Sequence, residues 1–415
     1  MLVSSKYTKE KLVFSRWLAF LVSVGVQFDF FKIGRLSLVT AVIILYIINC
    51  ISFIQKSNGY FQKYRKFILP IASFIVLLTV LNIININVYG SKFIPTSILI
   101  GVVLFVFSLA HISEDPKVAN FITAGILFGG ILMSVFFMLG IGMELDADDG
   151  NRLTMFGVNS NNLGCLMCLS VAILLSEVIM KDMFNLKVFR YVFVLLMTLF
   201  VGFIFATASR TAFVCLVLII ATIFLLSPFV GRKRTRLFFV VLLLIGLYYG
   251  YRYFLESDLL YNRILLSIEE EDSSGRQAIW RRLWLLVLEH PMGIGETGYT
   301  LYVKEHFNTT AIASNASPHN VLLEVLIYTG FIGLFLYLSF WFKMLSTAIK
   351  KARLEKNILP LLFMEVFTVQ MFLGQLLNFR IAWLSFAVVA VSSIGYSTQQ
   401  HVDLESGFNA NNNTN

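Results

Sequence analysis

Four arginines and one histidine stand where an apolar sequence has least use for them. Arg210 lies in FATASRTAFVCL, Arg276, Arg281 and Arg282 lie in SSGRQAIWRRLW, and His319 opens the run SPHNVLLEVLIYTGFIG. A guanidinium offers a planar fork of donors that matches phosphate oxygens. Near hydrocarbon it costs about 2.5 kcal/mol or more unless it is paired or hydrated. Several together point to a bound diphosphate. A neutral imidazole beside a phosphorylated sugar can take a proton from an attacking hydroxyl. Each residue also has a plainer reading. The acidic run from Glu269 to Asp272 could pair the arginines, and a histidine just before a helix often caps or packs. Arg276 and Arg281 are five apart, so they share a helix face only loosely.

The elements that must hold these residues are membrane helices. The chain has 415 residues, 58% of them hydrophobic and 14% charged, with a mean hydropathy of +0.79. No soluble globular domain of this length approaches that composition. Crossing about 30 Å of hydrocarbon takes roughly 20 apolar residues. Runs of that kind fall at 11–28, 33–54, 67–88, 93–111, 119–142, 161–180, 189–207, 211–229, 237–254, 320–341, 358–378 and 381–397. The expected fold class is an all-α polytopic membrane helix bundle of about 12 transmembrane helices, with one large, partly helical extracytoplasmic loop. The first run contains Arg16 and has no small-residue cleavage site after it, so it reads as a retained helix and not a cleaved signal.

Lysine and arginine are retained on the cytoplasmic side of membrane proteins. With the N-terminus inside, most of the 33 basic residues fall on inner segments, around Lys6 to Lys11, Lys56 to Lys66, Lys117, Lys181 to Arg190, Arg232 to Arg236 and Lys343 to Lys356. The net charge of +9 is therefore topological and implies no nucleic-acid partner. This orientation leaves two notable outer loops, MELDADDGNRLTMFGVNS at about 143–160 and the long loop 255–319. Within the second, RQAIWRRLWLLVLEH is amphipathic and rich in tryptophan, which predicts a helix on the bundle or at the membrane interface. The sequence divides into N-terminal transmembrane helices (1–142), a core (143–341) that includes the loop 255–319, C-terminal transmembrane helices (342–400) and a polar tail (401–415).

Other chemistries find less support. Cys50, Cys165, Cys168 and Cys215 all lie in apolar runs, and the Cys165–Cys168 pair has no second pair or histidine near it, so packing is expected. Glu144, Asp146, Asp148 and Asp149 could hold magnesium or calcium through carboxylate oxygens, but the segment reads as a solvated loop. A transporter or flippase would show internal repeats and mid-membrane ionisable groups. Glu177, Glu324 and Glu365 are the few candidates, and no repeat is visible.

Four motifs in order resemble those of the bacterial O-antigen polymerase and O-antigen ligase superfamily of membrane glycosyltransferases. They are RLTMFGVNSNNLG (152–164), ASRTAF (208–213), GRQAIWRRLWLLVLEHPMGIGETGY (275–299) and the His-Asn opening and Gly-x-x-Gly close of SPHNVLLEVLIYTGFIG (317–333). Asn159-Ser160-Asn161 stands where that superfamily often has Asn-Pro-Asn. The resemblance implies transfer of an oligosaccharide from undecaprenyl diphosphate to a glycan acceptor, at the outer face of the bacterial inner membrane. It implies catalytic roles for His319, Arg210 and Arg276, and substrate binding by Arg152, Asn159, Asn161, Arg281, Arg282 and Asn320. The two arginines would neutralise the departing diphosphate in place of a metal, and His319 would act as base. No cofactor is implied. The partners would be the lipid-linked donor, the acceptor, the bilayer and a chain-length regulator. Polymerisation of repeat units is the preferred expectation, because the acceptor-side features are generic. Ligation to lipid A core is the alternative, and transport ranks below both.

Overall fold

A computed structural model describes residues 9–28, 32–33, 36–56, 59–85, 95–146, 152–181, 187–230, 276–306 and 318–391. The predicted span 237–254, the acidic run 269–272 and the polar tail lie outside the described residues. Numbered in order among those described, the helices are α1 (Lys9–Gly25), α2 (Leu38–Lys56), α3 (Tyr60–Asn85), α4 (Thr96–Glu114), α5 (Lys117–Met138), α6 (Ser160–Lys181), α7 (Lys187–Ala206), α8 (Arg210–Val230), α9 (Arg276–Glu289), α10 (Gly295–His306), α11 (Val321–Leu354), α12 (Leu359–Leu373) and α13 (Arg380–Val391). In α3 to α7 and α11, six helices among the described residues are long and apolar enough to cross a membrane. Apolar stretches of α2, α8, α12 and α13 are shorter. Hydrocarbon offers the backbone no partners, so helices that satisfy their own N–H and C=O groups are the expected solution.

Two short antiparallel pairs depart from a purely helical reading. β1 (Lys32–Ile33) pairs with β2 (Leu36–Ser37), and β3 (Met143–Asp146) pairs with β4 (Arg152–Met155). The second is part of the outer segment read as a loop. Its alternating register sets Asp146 opposite Arg152. Gly142 and Gly157, both at positive φ, flank the pair.

The central helix is α6, which packs against α5, α7, α8 and α12. Its residues from Leu163 to Ser176 are all buried. An all-round apolar helix suits this place. Around it, α1 packs on α5, α2 on α4, α4 on α13 and α3 on α11. Small residues permit the close approach, as helix packing in lipid favours. A Cβ at Gly125 of α5 would stand 2.6 Å from the Phe20 carbonyl of α1. Arg16 of α1 forms a bidentate pair with Asp115 between α4 and α5, at 2.6 and 3.1 Å. All four cysteines are buried with free thiols.

The bundle has a basic end. Lys66, in the first turns of α3, lies within electrostatic range of Lys343 and Lys350 near the close of α11. At about 1.5 Å per residue, the 34 residues of α11 run well beyond a hydrocarbon core of about 30 Å. That is why α11 passes the predicted limit of 341. Its last part is basic and continues as helix past the apolar run.

Candidate functional site

At the end of α3 opposite these lysines, α10 packs on α3, and both α9 and α10 pack on α11. Asn159 caps α6. Its side-chain Oδ1 accepts from the Asn161 amide at 2.8 Å and its carbonyl from the Leu163 amide at 3.0 Å. Ser209 caps α8 in the same way, its hydroxyl accepting from the Ala212 amide at 3.2 Å. That hydroxyl donates to Asn161 Oδ1 at 2.8 Å, while Gln370 Nε2 of α12 donates to the Asn161 carbonyl at 3.3 Å. Two helix starts are thereby joined side by side, and Arg210 is the first residue of one of them. The free N–H groups and dipole at such a start favour an anion. Arg210 is half-buried. Ala208, two residues before it, has φ 47°, a left-handed conformation that costs an alanine about 1–2 kcal/mol.

His319 is held from the other side. The Trp280 indole Nε1 donates to the Pro318 carbonyl at 2.7 Å, across 38 residues of sequence. Pro318 is buried and His319 half-buried. The His319 backbone is left-handed, at φ 45°. Asn320 then caps α11, its side chain accepting from the Leu323 amide at 3.1 Å. Arg276 begins α9, one helical turn before Trp280. The helix that begins with Arg276 is therefore pinned to the residue before His319. The Arg276 and Arg152 side chains lie outside the described residues. Arg281 and Arg282 are exposed, on other faces of α9.

The loop between α9 and α10 wedges into α11. Gly330 leaves the helical region, with φ 61° and ψ −162°, and the break frees backbone groups for the loop. The Phe331 amide donates to the Pro291 carbonyl at 3.1 Å, and the Ile294 amide donates to the Ile327 carbonyl at 2.9 Å. Such an insertion into the helical ladder is a recognised cause of a sharp kink. A Cβ on Gly293 would lie 2.6 Å from the Gly330 amide, and one on Gly330 would collide with the Pro291 carbonyl. The Pro-x-Gly-x-Gly segment and the Gly-x-x-Gly close are thus two halves of one contact. The end of α3 completes it. Asn85 Nδ2 donates to the Ile294 carbonyl at 2.8 Å, and Asn82 Oδ1 accepts from the Thr297 amide at 3.2 Å.

Sequence reasoning passed over Asn82, Asn85 and the indole bond of Trp280. A signal existed in NIININ, where two asparagines three apart share one face of an apolar helix. Asn159 and Asn161 were expected to bind substrate. In the structure their carboxamides cap α6 and join it to α8. Glu324, one turn into α11, is buried and accepts from Tyr328 Oη at 3.1 Å. Tyr299 of α10 stacks obliquely on Tyr328 at 5.8 Å. Burial, with Glu324 nearby, raises the Tyr299 phenol above its usual range. Glu365 accepts from Thr222 Oγ1 at 2.6 Å, and Glu177 is half-buried. Glu144 is exposed on β3, whereas Asp148 and Asp149 lie outside the described residues.

The described residues thus form a polytopic helix bundle with an arginine at one helix start and a histidine between two tied neighbours. Residues 192–338, from α7 through the kink of α11, match the family model described as O-antigen ligase. The match covers about a third of the chain and agrees with the superfamily its motifs resemble; with six long apolar helices among the described residues, it supports a multi-pass membrane enzyme of glycan ligation or polymerisation. A comparison with curated proteins finds no match.

Proposed function

We propose that the protein transfers a glycan from undecaprenyl diphosphate to an acceptor hydroxyl at the outer face of the bacterial inner membrane. The observation that carries this reading is the Trp280–Pro318 bond, which couples the helix begun by Arg276 to His319 inside the matched segment. Arg210 and Arg276 hold the diphosphate and neutralise it as it leaves. Diphosphate with its charge held is a good leaving group, so arginines can do what a divalent metal does elsewhere. His319 takes the proton of the acceptor hydroxyl as the new glycosidic bond forms. Asn320 sets the entry angle of α11. Asn159 and Asn161 act by fixing α6 against α8 so that Arg210 faces the donor. Arg152, Arg281 and Arg282 add positive charge around the donor.

The description of the matched family favours ligation to lipid A core over the polymerisation preferred from sequence. We assign the core to 143–341, including the outer loop 255–319, flanked by 1–142 and 342–400 with the tail 401–415, in a bundle of about 12 transmembrane helices with both termini inside. A chain-length regulator is a partner only if the acceptor is a second lipid-linked repeat.

A purified-component assay tests this. The protein in liposomes, given lipid-linked glycan and either lipid A core or a second lipid-linked unit, is expected to form a new glycosidic bond with lipid A core. A product only with the second lipid-linked unit restores the polymerase reading. With His319→Ala, turnover is expected to fall by about 10²- to 10⁴-fold, the range of a positioned general base. Donor-lipid binding should be little changed. A well-inserted His319→Ala protein that works at the wild-type rate would reduce His319 to a helix-entry residue.

A further inference from the structure

We propose that α9 is a membrane-surface helix, lying in the lipid leaflet at the Val321 end of α11 with an apolar stripe among the acyl chains and Arg281 and Arg282 at the lipid phosphates. The helix has two apolar faces, and the bundle uses only one. Leu283, Leu286 and Val287 are buried against the protein. Trp284, Leu285, Leu288 and Met292, just past the helix end, are 46, 59, 56 and 58% exposed. Single exposed apolar residues are ordinary, but a contiguous stripe of large ones marks an interaction surface. Trp284 and Leu288 are four apart, Leu285 and Leu288 three apart, so they form one row along the helix.

What covers the row follows from its neighbours. Met292 lies against Gly330, and the Pro291 carbonyl accepts from the Phe331 amide. Phe331 and Ile332 are exposed, as is Phe335 at 72%, and they belong to a helix apolar enough to span the membrane. The stripe on α9 is therefore continuous with a hydrocarbon-facing surface. Arg281 stands one turn before Leu285 at the head of the row, and Arg282 is exposed beside it. Long basic side chains at such a place lay their stems on apolar surface and carry the charge to the headgroups. A tryptophan at the boundary, a basic flank and an aliphatic stripe are the features of an in-plane interfacial helix. Lying there, α9 would hold position 276 at the depth of lipid phosphates, independently of what the enzyme transfers.

The test uses single cysteines in the full-length protein, whose four native thiols are buried. Leu285→Cys, Leu288→Cys, Phe335→Cys and Lys304→Cys variants, labelled with a bimane fluorophore, are reconstituted in phosphatidylcholine liposomes with and without brominated acyl chains. Labels at 285 and 288 are expected to be quenched as strongly as the label at 335, and the label at 304 to be spared. Quenching at 285 and 288 no greater than at 304 overturns the proposal. So does protection of both positions from bromolipid and from a water-soluble quencher together, since that would mean a protein partner covers the stripe. Adding phosphatidylglycerol should increase quenching at 285, and Arg281→Gln with Arg282→Gln should abolish the increase. An unchanged increase overturns the headgroup role of the two arginines. None of these readouts depends on glycan transfer, so loss of the proposed activity and loss of this placement are separable.

Discussion

His319 owes its position to bonds made by its neighbours. Pro318 is tied to Trp280, Asn320 caps the next helix, and His319 between them takes a left-handed backbone. Non-glycine residues in that region cost about 1–3 kcal/mol and persist when surrounding contacts over-determine them. Histidine and asparagine tolerate it better than β-branched residues do. Trp280→Phe removes the indole donor and keeps most of the ring. If Trp280 positions His319, turnover should drop about tenfold or more, since small misplacements of a reacting group cost up to 10²-fold, while KM for the donor lipid and thermal stability change little. Trp280→His, which restores a ring N–H, should recover part of the loss. Equal loss of stability and turnover in both variants would mark Trp280 as packing only. Arg210→Lys keeps the charge but not the fork, and weaker donor binding is the expected outcome.

At the level of elements, the contact between the Pro291–Gly295 loop and the kink of α11 is what joins the loop helices to the bundle. Its groups are backbone amides and carbonyls, which no side-chain substitution can replace. A methyl group at Gly330 would meet the Pro291 carbonyl and force an alanine to φ 61°. Gly330→Ala is therefore expected to lower stability by about 1–3 kcal/mol or more, from overpacking and backbone strain together, read as a drop in the unfolding temperature of the detergent-solubilised protein. Gly140→Ala is the useful comparison. Gly140 also has positive φ but nothing within 4 Å of its Cβ position, so it isolates the backbone cost. The larger loss should fall on Gly330→Ala, and a reversed order would remove the wedge as a structural determinant.

For the whole molecule, the bundle separates a basic end, where Lys66 meets Lys343 and Lys350, from the end where α3 grips Ile294 and Thr297. If the first end is cytoplasmic, as the retention of basic residues suggests, single cysteines at Lys304 or Glu289 should react with an impermeant thiol reagent in intact spheroplasts. Protection at both, with reaction only after permeabilisation, would invert the orientation and the proposed site with it. The proposal that arginines replace a metal makes a second prediction at this scale. Activity in the liposome assay should persist in EDTA, and loss on chelation that magnesium restores would turn attention to Glu144 and its acidic neighbours.

The sequence by itself determined that this is a helical membrane protein and roughly where six long apolar spans lie among the described residues, because burying backbone in hydrocarbon admits few solutions and each demands a long apolar run. It also determined which charges were out of place, since Arg210, the α9 arginines and His319 interrupt that pattern. The β3–β4 hairpin was not legible, because four-residue strands carry too short a period to stand out. Nor was the division of labour between residues of the same type. Asn159 and Asn161, expected from sequence to bind substrate, have carboxamides that cap α6 and link it to α8, while Asn82 and Asn85, which sequence reasoning passed over, grip the loop. Those roles depend on which groups meet across 48 to more than 200 residues of chain. A hydrogen bond between a side chain and a distant backbone carbonyl needs only a donor at the right place, and leaves no spacing rule in the sequence. The fit of Gly293 against Gly330 and of Trp280 against Pro318 was decided by the packed bundle alone.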